Sequence, residues 1–479
     1  MAEILLSHSN HLYFDRKQVR KMQPYPPLET LLAAALLRQE GFEVALFDAT
    51  LDAPEDGFRA ALEKHRPGLV VLCEDNFNFL TKMCLLRNRE LAFFMAGAAK
   101  QAGLPVVVSS SDAADHAGEY LGRGADFVLM GEVEITLVEI ARRLLGCTET
   151  SVDGIAGLAY RDPQTGRLRA TAPRELLEDL DRLPLPAWDL VDISKYREAW
   201  TRAHGYFSLN LASSRGCPYR CNWCAKPIYG QSYHCHSPRR VAEEMHYLKA
   251  ALAPDQIWFA DDIFALSARW TEEFAAAVED LGAQIPFKMQ SRSDLMTRDT
   301  VDALRRAGCV EVWMGAESGA QAVLDAMEKG LRVRQIYQAR ENLRRYGIRA
   351  GYFLQFGYPG EGWAEIQETI RMVRETQPDD IGVSVSYPLP GTKFYQIVGE
   401  QLGAKQNWAD SDDLAMMFQG AYTSEFYRML RDALHLEVEV MNGRKNGSSR
   451  AQLQELWRRV EDLEKTSANP NPTVLWTCC

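Results

Sequence analysis

Cys217, Cys221 and Cys224 fall within eight residues, spaced Cys-x3-Cys-x2-Cys in the segment SSRGCPYRCNWCAK. Thiolates bind soft metals and iron–sulfur clusters, and in a reducing cytosol such a group serves as metal ligands rather than disulfides. A complete 4Fe–4S site takes four protein thiolates, and the local set stops at three. Three thiolates hold three irons and leave one iron able to chelate a small molecule. The alternatives are a zinc site completed by His234 or His236, and buried thiols without a ligand. The other cysteines, Cys73, Cys84, Cys147, Cys235, Cys309 and the terminal Cys478 and Cys479, are too few and too scattered for a disulfide scaffold.

The elements that must hold these thiols in place are legible around them. From about residue 206 to 390 a βα rhythm returns six times, with strands expected at 208–214, 256–262, 286–292, 311–318, 349–357 and 380–388. The cysteine segment follows the first of them. Six units are too few for a closed eight-strand barrel and suit an open, partial one. In βα barrels the residues just past the C-terminal strand ends tend to carry the chemistry. Those ends are polar here: Asp261 and Asp262, Gln290 and Arg292, Glu317 and Ser318, Gln355, and Tyr387.

Residues 3–145 alternate between short apolar strands (3–8, 43–49, 68–73, 105–110 and 126–131) and helical patterns, so the fold class is α/β. Unalternating apolar strands suit a parallel sheet covered on both faces, and a doubly wound domain takes its ligands beyond the C-terminal strand ends. That crevice would be lined near His8, Asp48, Cys73–Asp75, Ser109–Ser111 and Gly131–Glu132. Residues 146–205 read as a connector, with a hairpin in GLAYRDPQTGRLRA and two prolines in DRLPLPAWDL that forbid a regular helix. Residues 391–479 read as helical, broken at 445–450 and ending in an irregular tail.

The cysteine triplet, with Trp223 before its third member, resembles the signature of the radical S-adenosylmethionine (radical SAM) superfamily. FADDIF (259–264), SRSD (291–294), MGAESG (314–319), FGYPGE (356–361) and YPLPGT (387–392) resemble blocks of its cobalamin-domain subgroup, which includes anaerobic porphyrin cyclases and class B methylases. The resemblance covers residues 1 to about 400. It implies a 4Fe–4S cluster on Cys217, Cys221 and Cys224, whose open iron binds the amino and carboxylate groups of S-adenosylmethionine. One electron then cleaves the S–C5′ bond, giving methionine and a 5′-deoxyadenosyl radical. It places Trp223 near the adenine, Arg292 on the methionine carboxylate, and Glu317 and Asp262 on ribose hydroxyls or the amino group. Tyr358, Pro359 and Gly360 bring backbone close to the adenine, and Gln290, Ser318 and Gln355 complete the cofactor-binding set. Each has a plainer reading: Trp223 as core, Asp261 and Asp262 as a helix cap, Arg292 and Glu317 as a structural ion pair, and the FGYPGE glycines as a turn.

The same resemblance implies cobalamin at the strand ends of the N-terminal domain, with departures. No Asp-x-His-x-x-Gly follows the first strand, and Ser109-Ser110-Ser111 stands where relatives often show Gly-Gly. These departures bear on histidine ligation of cobalt more than on cobalamin itself. His116 reads as a surface residue, and GEVEIT (131–136) supports the fold.

The net charge, 54 − 65 = −11, disfavours a duplex-binding surface, and no apolar run is long enough to span a membrane. The expected protein is a soluble, cytoplasmic radical enzyme. It would methylate or cyclise an unactivated carbon of a small-molecule substrate, with an electron donor such as flavodoxin or ferredoxin. The alternatives are a cobalamin-free cyclase, a tRNA methylthiotransferase, and a redox sensor without turnover.

Overall fold

The computed structural model describes residues 2–83, 85–225, 228–445 and 448–473. Cys84, Cys478 and Cys479 lie outside the described residues.

The N-terminal sheet is built from β1 (Ile4–Ser7), β2 (Val44–Phe47), β3 (Leu69–Cys73), β4 (Val106–Ser109) and β5 (Phe127–Leu129), all parallel, in the order β2-β1-β3-β4-β5. Alternate residues feed two separate cores. Leu5, Val70, Leu72, Val106 and Val108 join one, while Ile4, Leu6, Leu69, Val71 and Val107 join the other. Helices therefore cover both faces, which explains why these strands read as continuous apolar runs. The strand order reverses between β1 and β3, the switch point at which doubly wound sheets open a ligand crevice.

The hairpin expected in the connector forms as β6 (Leu158–Arg161) and β7 (Leu168–Ala170), but it extends the first sheet antiparallel to β5. The first unit thus runs past residue 145. Ala159 and Leu158 carry the apolar side chains that fasten it, one to each core.

The second sheet is a curled, open half-barrel of six parallel strands: β8 (Ser208–Leu211), β11 (Gln256–Phe259), β12 (Phe287–Ser291), β13 (Cys309–Glu317), β14 (Arg349–Phe356) and β15 (Asp380–Val385). Between β8 and β11 a small antiparallel ribbon pairs β9 (Ser214–Arg215) with β10 (His234–Cys235). It clamps the base of the loop that carries the three cysteines. The outer face packs beneath helices through Phe259, Met289, Val312, Met314, Tyr352 and Val383, all fully or nearly fully buried. The inner face is lined by Lys288, Gln290, Trp313, Phe353, Gly382 and Ser384, which stay partly exposed.

The outer edge of β8 faces the loop of the first unit that precedes the helix Leu28–Gln39. Asn210 Nδ2 donates to the Pro26 carbonyl at 3.0 Å, Tyr25 Oη lies 3.3 Å from Ser208 Oγ, and Trp200 Nε1 donates to the Pro24 carbonyl at 2.6 Å. The C-terminal region is helical over Lys393–Val398, Ser424–Met441 and Ser448–Ser467, but residues 402–423 are irregular, contrary to the continuous helical reading. Their backbone amides find partners outside a helix; Ser411 N, for example, donates to Asp15 at 2.9 Å.

Candidate functional site

The loop from Gly216 to Tyr233 carries Cys217, Cys221 and Cys224, all partly exposed and none in a disulfide. Its shape is fixed by protein contacts. Gly216 has φ +75°, and a Cβ there would run into the Ser232 carbonyl, so only glycine starts the loop without strain. Asn222, 8% exposed, anchors the far side. Its N–H donates to Met327 O at 3.0 Å and its Nδ2 to Ala326 O at 2.7 Å, while it accepts from Tyr358 Oη at 3.0 Å and from Phe394 N at 3.0 Å. Asn222 had no signal in the sequence, since its value lies in four long-range contacts.

Arg292, at the end of β12, lies with its guanidinium carbon 3.7 Å from the ring centroid of Tyr219, inside the cysteine loop. Its N–H groups donate to Asp294 at 3.0 and 3.2 Å and to the Lys329 carbonyl at 2.9 Å. The plainer reading, an ion pair between Arg292 and Glu317, does not form, and two other pairs stand in its place. Glu317 takes Lys329, whose Nζ lies 2.8 Å from Oε1, both side chains being buried. Burial works against the Lys329 ammonium, but the Glu317 carboxylate outweighs it, and with Cys221 adding to the effect the amine stays above its ordinary range. Two cations, each paired with a carboxylate, thus stand by the cysteine loop. Glu317 has φ +59°, in the left-handed region, at a bulge against β14. A Cβ on Gly315 would lie 2.7 Å from both Glu317 Oε1 and Lys329 Nζ, so glycine makes room for the pair.

Other expected residues divide. Asp261 is wholly buried and accepts from Ser213 N, Ser213 Oγ (2.6 Å) and Ser214 Oγ, so it positions the residues before the loop and caps no helix. Burial pushes its carboxyl up to about 6 against those hydrogen bonds. Asp262, beside it, is half-buried at the strand end. Gln290 Nε2 donates to Asp261 O at 2.6 Å. Ser318 turns toward the helix Trp363–Thr376, where its Oγ lies 3.0 Å from Thr369 Oγ1. Gln355 Nε2 donates to Ser386 Oγ at 3.0 Å. Trp223 packs against the cluster of Tyr358, Phe394, Val323 and Phe418, and its Nε1 is buried without a partner.

His236 Nδ1 lies 3.0 Å from Asp181, and His234 belongs to β10. Among the described residues no three His, Cys, Asp or Glu side chains converge on one ion. Thiolates that bind different irons of a cube need no such convergence, and the three cysteines on a pre-shaped loop fit that group.

The N-terminal unit reaches this loop directly. Arg215, two residues before Cys217, is buried in ion pairs with Glu132 (3.2 Å) and Glu134. Its guanidinium carbon also lies 5.3 Å from the Tyr229 ring centroid. GEVEIT is thus a clamp on the cysteine loop as well as a mark of the fold.

At the switch point, His8 Nε2 lies 3.0 Å from Asp48, which also accepts from Tyr196 Oη at 2.7 Å. Ser9 N donates to Glu74 at 2.6 Å. Three buried polar atoms there have no partner: His8 Nδ1, Glu74 Oε2 and Ser109 Oγ. Buried polar groups are normally hydrogen-bonded, so orphans at the ends of β1, β3 and β4 fit a polar ligand such as cobalamin. His116 is about a third exposed, beside Asp112 and Glu119, as a surface residue.

Glu29, on the helix Leu28–Gln39, is buried between the units and accepts from Asn76 N at 2.8 Å. Burial, with Glu134 nearby, pushes its carboxyl up to about 8 from 4.5. Across that window the folded chain binds more protons than the unfolded one, so this group makes stability fall as pH rises. Glu29→Gln cannot ionise. Its thermal midpoint is expected to match the wild type near the lower limit and to exceed it above the upper one; a midpoint difference independent of pH would refute this.

Residues 211–373 match the radical SAM superfamily model. The chain is 28% identical to an uncharacterised methyltransferase of Pyrococcus horikoshii over 64% of this chain and 66% of that one. It is 25% identical to the anaerobic magnesium-protoporphyrin IX monomethyl ester cyclase of Rubrivivax gelatinosus, over 58% of this chain and half of that one. The matched region thus spans between half and two thirds of these relatives. In fold it is similar to the cobalamin-dependent S-adenosylmethionine radical enzyme OxsB, solved with aqua-cobalamin and S-adenosylmethionine: TM-score 0.71, 16% identity, covering 97% of this chain and 72% of that one. No helix among the described residues is long and apolar enough to cross a membrane. The region that matches the radical SAM superfamily model takes in the cysteine loop and most of the half-barrel.

Proposed function

We propose that the chain reductively cleaves S-adenosylmethionine and uses the radical, together with cobalamin, to methylate or cyclise an unactivated carbon of a small molecule in the cytoplasm. The observation that carries this reading is the cysteine loop, shaped by Gly216, Asn222 and the β9–β10 ribbon and joined to the N-terminal unit through Arg215. Cys217, Cys221 and Cys224 would hold a 4Fe–4S cluster, which supplies the electron that splits S-adenosylmethionine into methionine and the 5′-deoxyadenosyl radical. Cobalamin at the ends of β1, β3 and β4 would supply a methyl carrier.

The chain's own residues have defined tasks. Arg292 and Lys329, each held by a carboxylate, stand beside the cysteine loop, and Tyr219 is pressed under Arg292 so that the loop keeps its shape. Glu317, held by Lys329 at the end of β13, offers its carboxylate to the ribose or amino group, and Asp262 the same from β11. Trp223 Nε1, buried and unpartnered, is a donor for the adenine side. Tyr358, stacked on Phe394, would bring its backbone close to the adenine. Arg292 reaches the methionine carboxylate only by exchanging one of its present acceptors. Ser318 and Gln355 act through the Thr369 and Ser386 side chains they hold. The electron would come from a flavodoxin or ferredoxin type of donor.

The test is anaerobic purification, rebuilding of the cluster, and addition of hydroxocobalamin followed by desalting. Retained stoichiometric cobalamin with 5′-deoxyadenosine release supports the full proposal. Release without retention leaves the cobalamin-free cyclase reading. No release under strong reductant would sink the enzyme reading.

A further inference from the structure

The inner face of β13, β14 and β15 carries an arrangement that the cofactor sites do not use. In register, Trp313 lies beside Gly351, and Gly315 and Gly382 flank Phe353. The Trp313 and Phe353 rings stack with centroids 5.0 Å apart and planes 29° from parallel. A Cβ on Gly351 would lie 2.5 Å from the Trp313 ring, and one on Gly382 would lie 3.2 Å from Phe353. The glycines therefore let both rings lie down against the sheet. Both rings remain partly exposed and belong to none of the four apolar cores, although an aromatic pair of this size normally serves as core. Trp313 is further held by Nε1, which donates to Glu311 at 2.7 Å, so its ring is fixed in plane.

The position is right for a substrate. Gln290 is the register partner of Trp313, and Arg292, two residues further along β12, covers Tyr219 of the cysteine loop. At about 3.3 Å per residue the aromatic pair lies roughly 7 Å below the layer of that loop. Gly315, directly above Trp313 on the same face, lies under the Glu317–Lys329 pair. We infer that Trp313 and Phe353 form the wall against which the substrate lies, and that this wall selects molecules with a flat, conjugated face. The inference rests on the radical reading and adds to it the class of substrate. Aromatic faces favour offset stacking over contact with a puckered ring of equal size, which gives the wall its selectivity.

The probes are 2-naphthoate and its saturated counterpart decahydro-2-naphthoate, equal in charge and carbon skeleton and different in flatness. Each is titrated calorimetrically into holoprotein carrying cluster and S-adenosylmethionine. The flat acid is expected to bind about three- to tenfold more tightly to the wild type, the range set by one aromatic stacking contact. Trp313→Ala is expected to abolish the preference and Trp313→Phe to keep most of it. Gly351→Ala pushes the ring off the sheet without removing it and is expected to weaken the preference too, which covers the case of a misfolded Trp313→Ala. Equal affinity of the wild type for both acids, or a preference that survives both Trp313→Ala and Gly351→Ala, overturns the inference. Release of 5′-deoxyadenosine by the same wild-type sample reports separately on the enzyme: release without a preference refutes the wall alone.

Discussion

Replacing Cys217, Cys221 or Cys224 with Ala, one at a time, is expected to remove the visible absorbance of the rebuilt cluster and to lower 5′-deoxyadenosine release to background. The loss is total because each thiolate would hold a different iron, so no neighbour substitutes for it. The fold is expected to survive. Gly216 allows the turn into the loop, Asn222 ties its middle to Ala326, Met327, Tyr358 and Phe394, and β9–β10 close its base, all without metal. Thermal midpoints of the metal-free variants and the metal-free wild type should therefore agree closely. The pairing of the two readouts is the point. Lost release with an unchanged midpoint marks ligands, whereas retained release in any one variant would remove that cysteine from the site.

The second large effect is expected at Arg215. Its side chain is 3% exposed and lies between Glu132 and Glu134. Removing one partner of a buried pair leaves uncompensated charge and costs about 3–5 kcal/mol. Arg215→Met should lose stability of that order in denaturant unfolding. Adding Glu132→Gln and Glu134→Gln should restore part of it, since the stranded carboxylates are then gone. A loss no greater than that of an exposed pair would show that the units are not joined here. Because Arg215 is a residue of β9, the same variant is also expected to loosen cluster retention, which the restored triple variant would separate from simple instability.

The fold was largely legible because its strands are short apolar runs bounded by glycine, proline and polar residues. Val106–Ser109 and Asp380–Val385, for example, lie within the stretches expected from composition alone. The α/β class and open half-barrel follow from that rhythm. The hairpin 158–170 was legible as a hairpin but not as part of the first sheet, because the residues that fasten it, Leu158 and Ala159, look like any strand. Within the site, thiol spacing marked the loop, while partners across the chain were invisible. Arg292 pairs with Asp294, two residues away, and Glu317 with Lys329, twelve residues on in the turn that follows Ala326. Nothing in the local sequence marks Lys329 or Asn222. Ser318 and Gln355 look like ligands by type and place, yet their side chains are spent on Thr369 and Ser386.

The contacts along β8 bear on whether the half-barrel can exist alone. An open sheet has two edges, and an edge strand with bare amides is a template for pairing with other chains. Here a loop of the N-terminal unit covers one of them, with Pro24, Tyr25 and Pro26 laid against Trp200, Ser208 and Asn210. Two of those three residues are prolines, which offer no donor and end the lateral growth of the sheet. Cutting the chain ahead of β8 would strip that cover and leave a sticky margin prone to self-association. The two halves are thus one inheritance: a lineage could not shed the N-terminal unit, even one with no further use for its ligand, without first finding another way to blunt that margin.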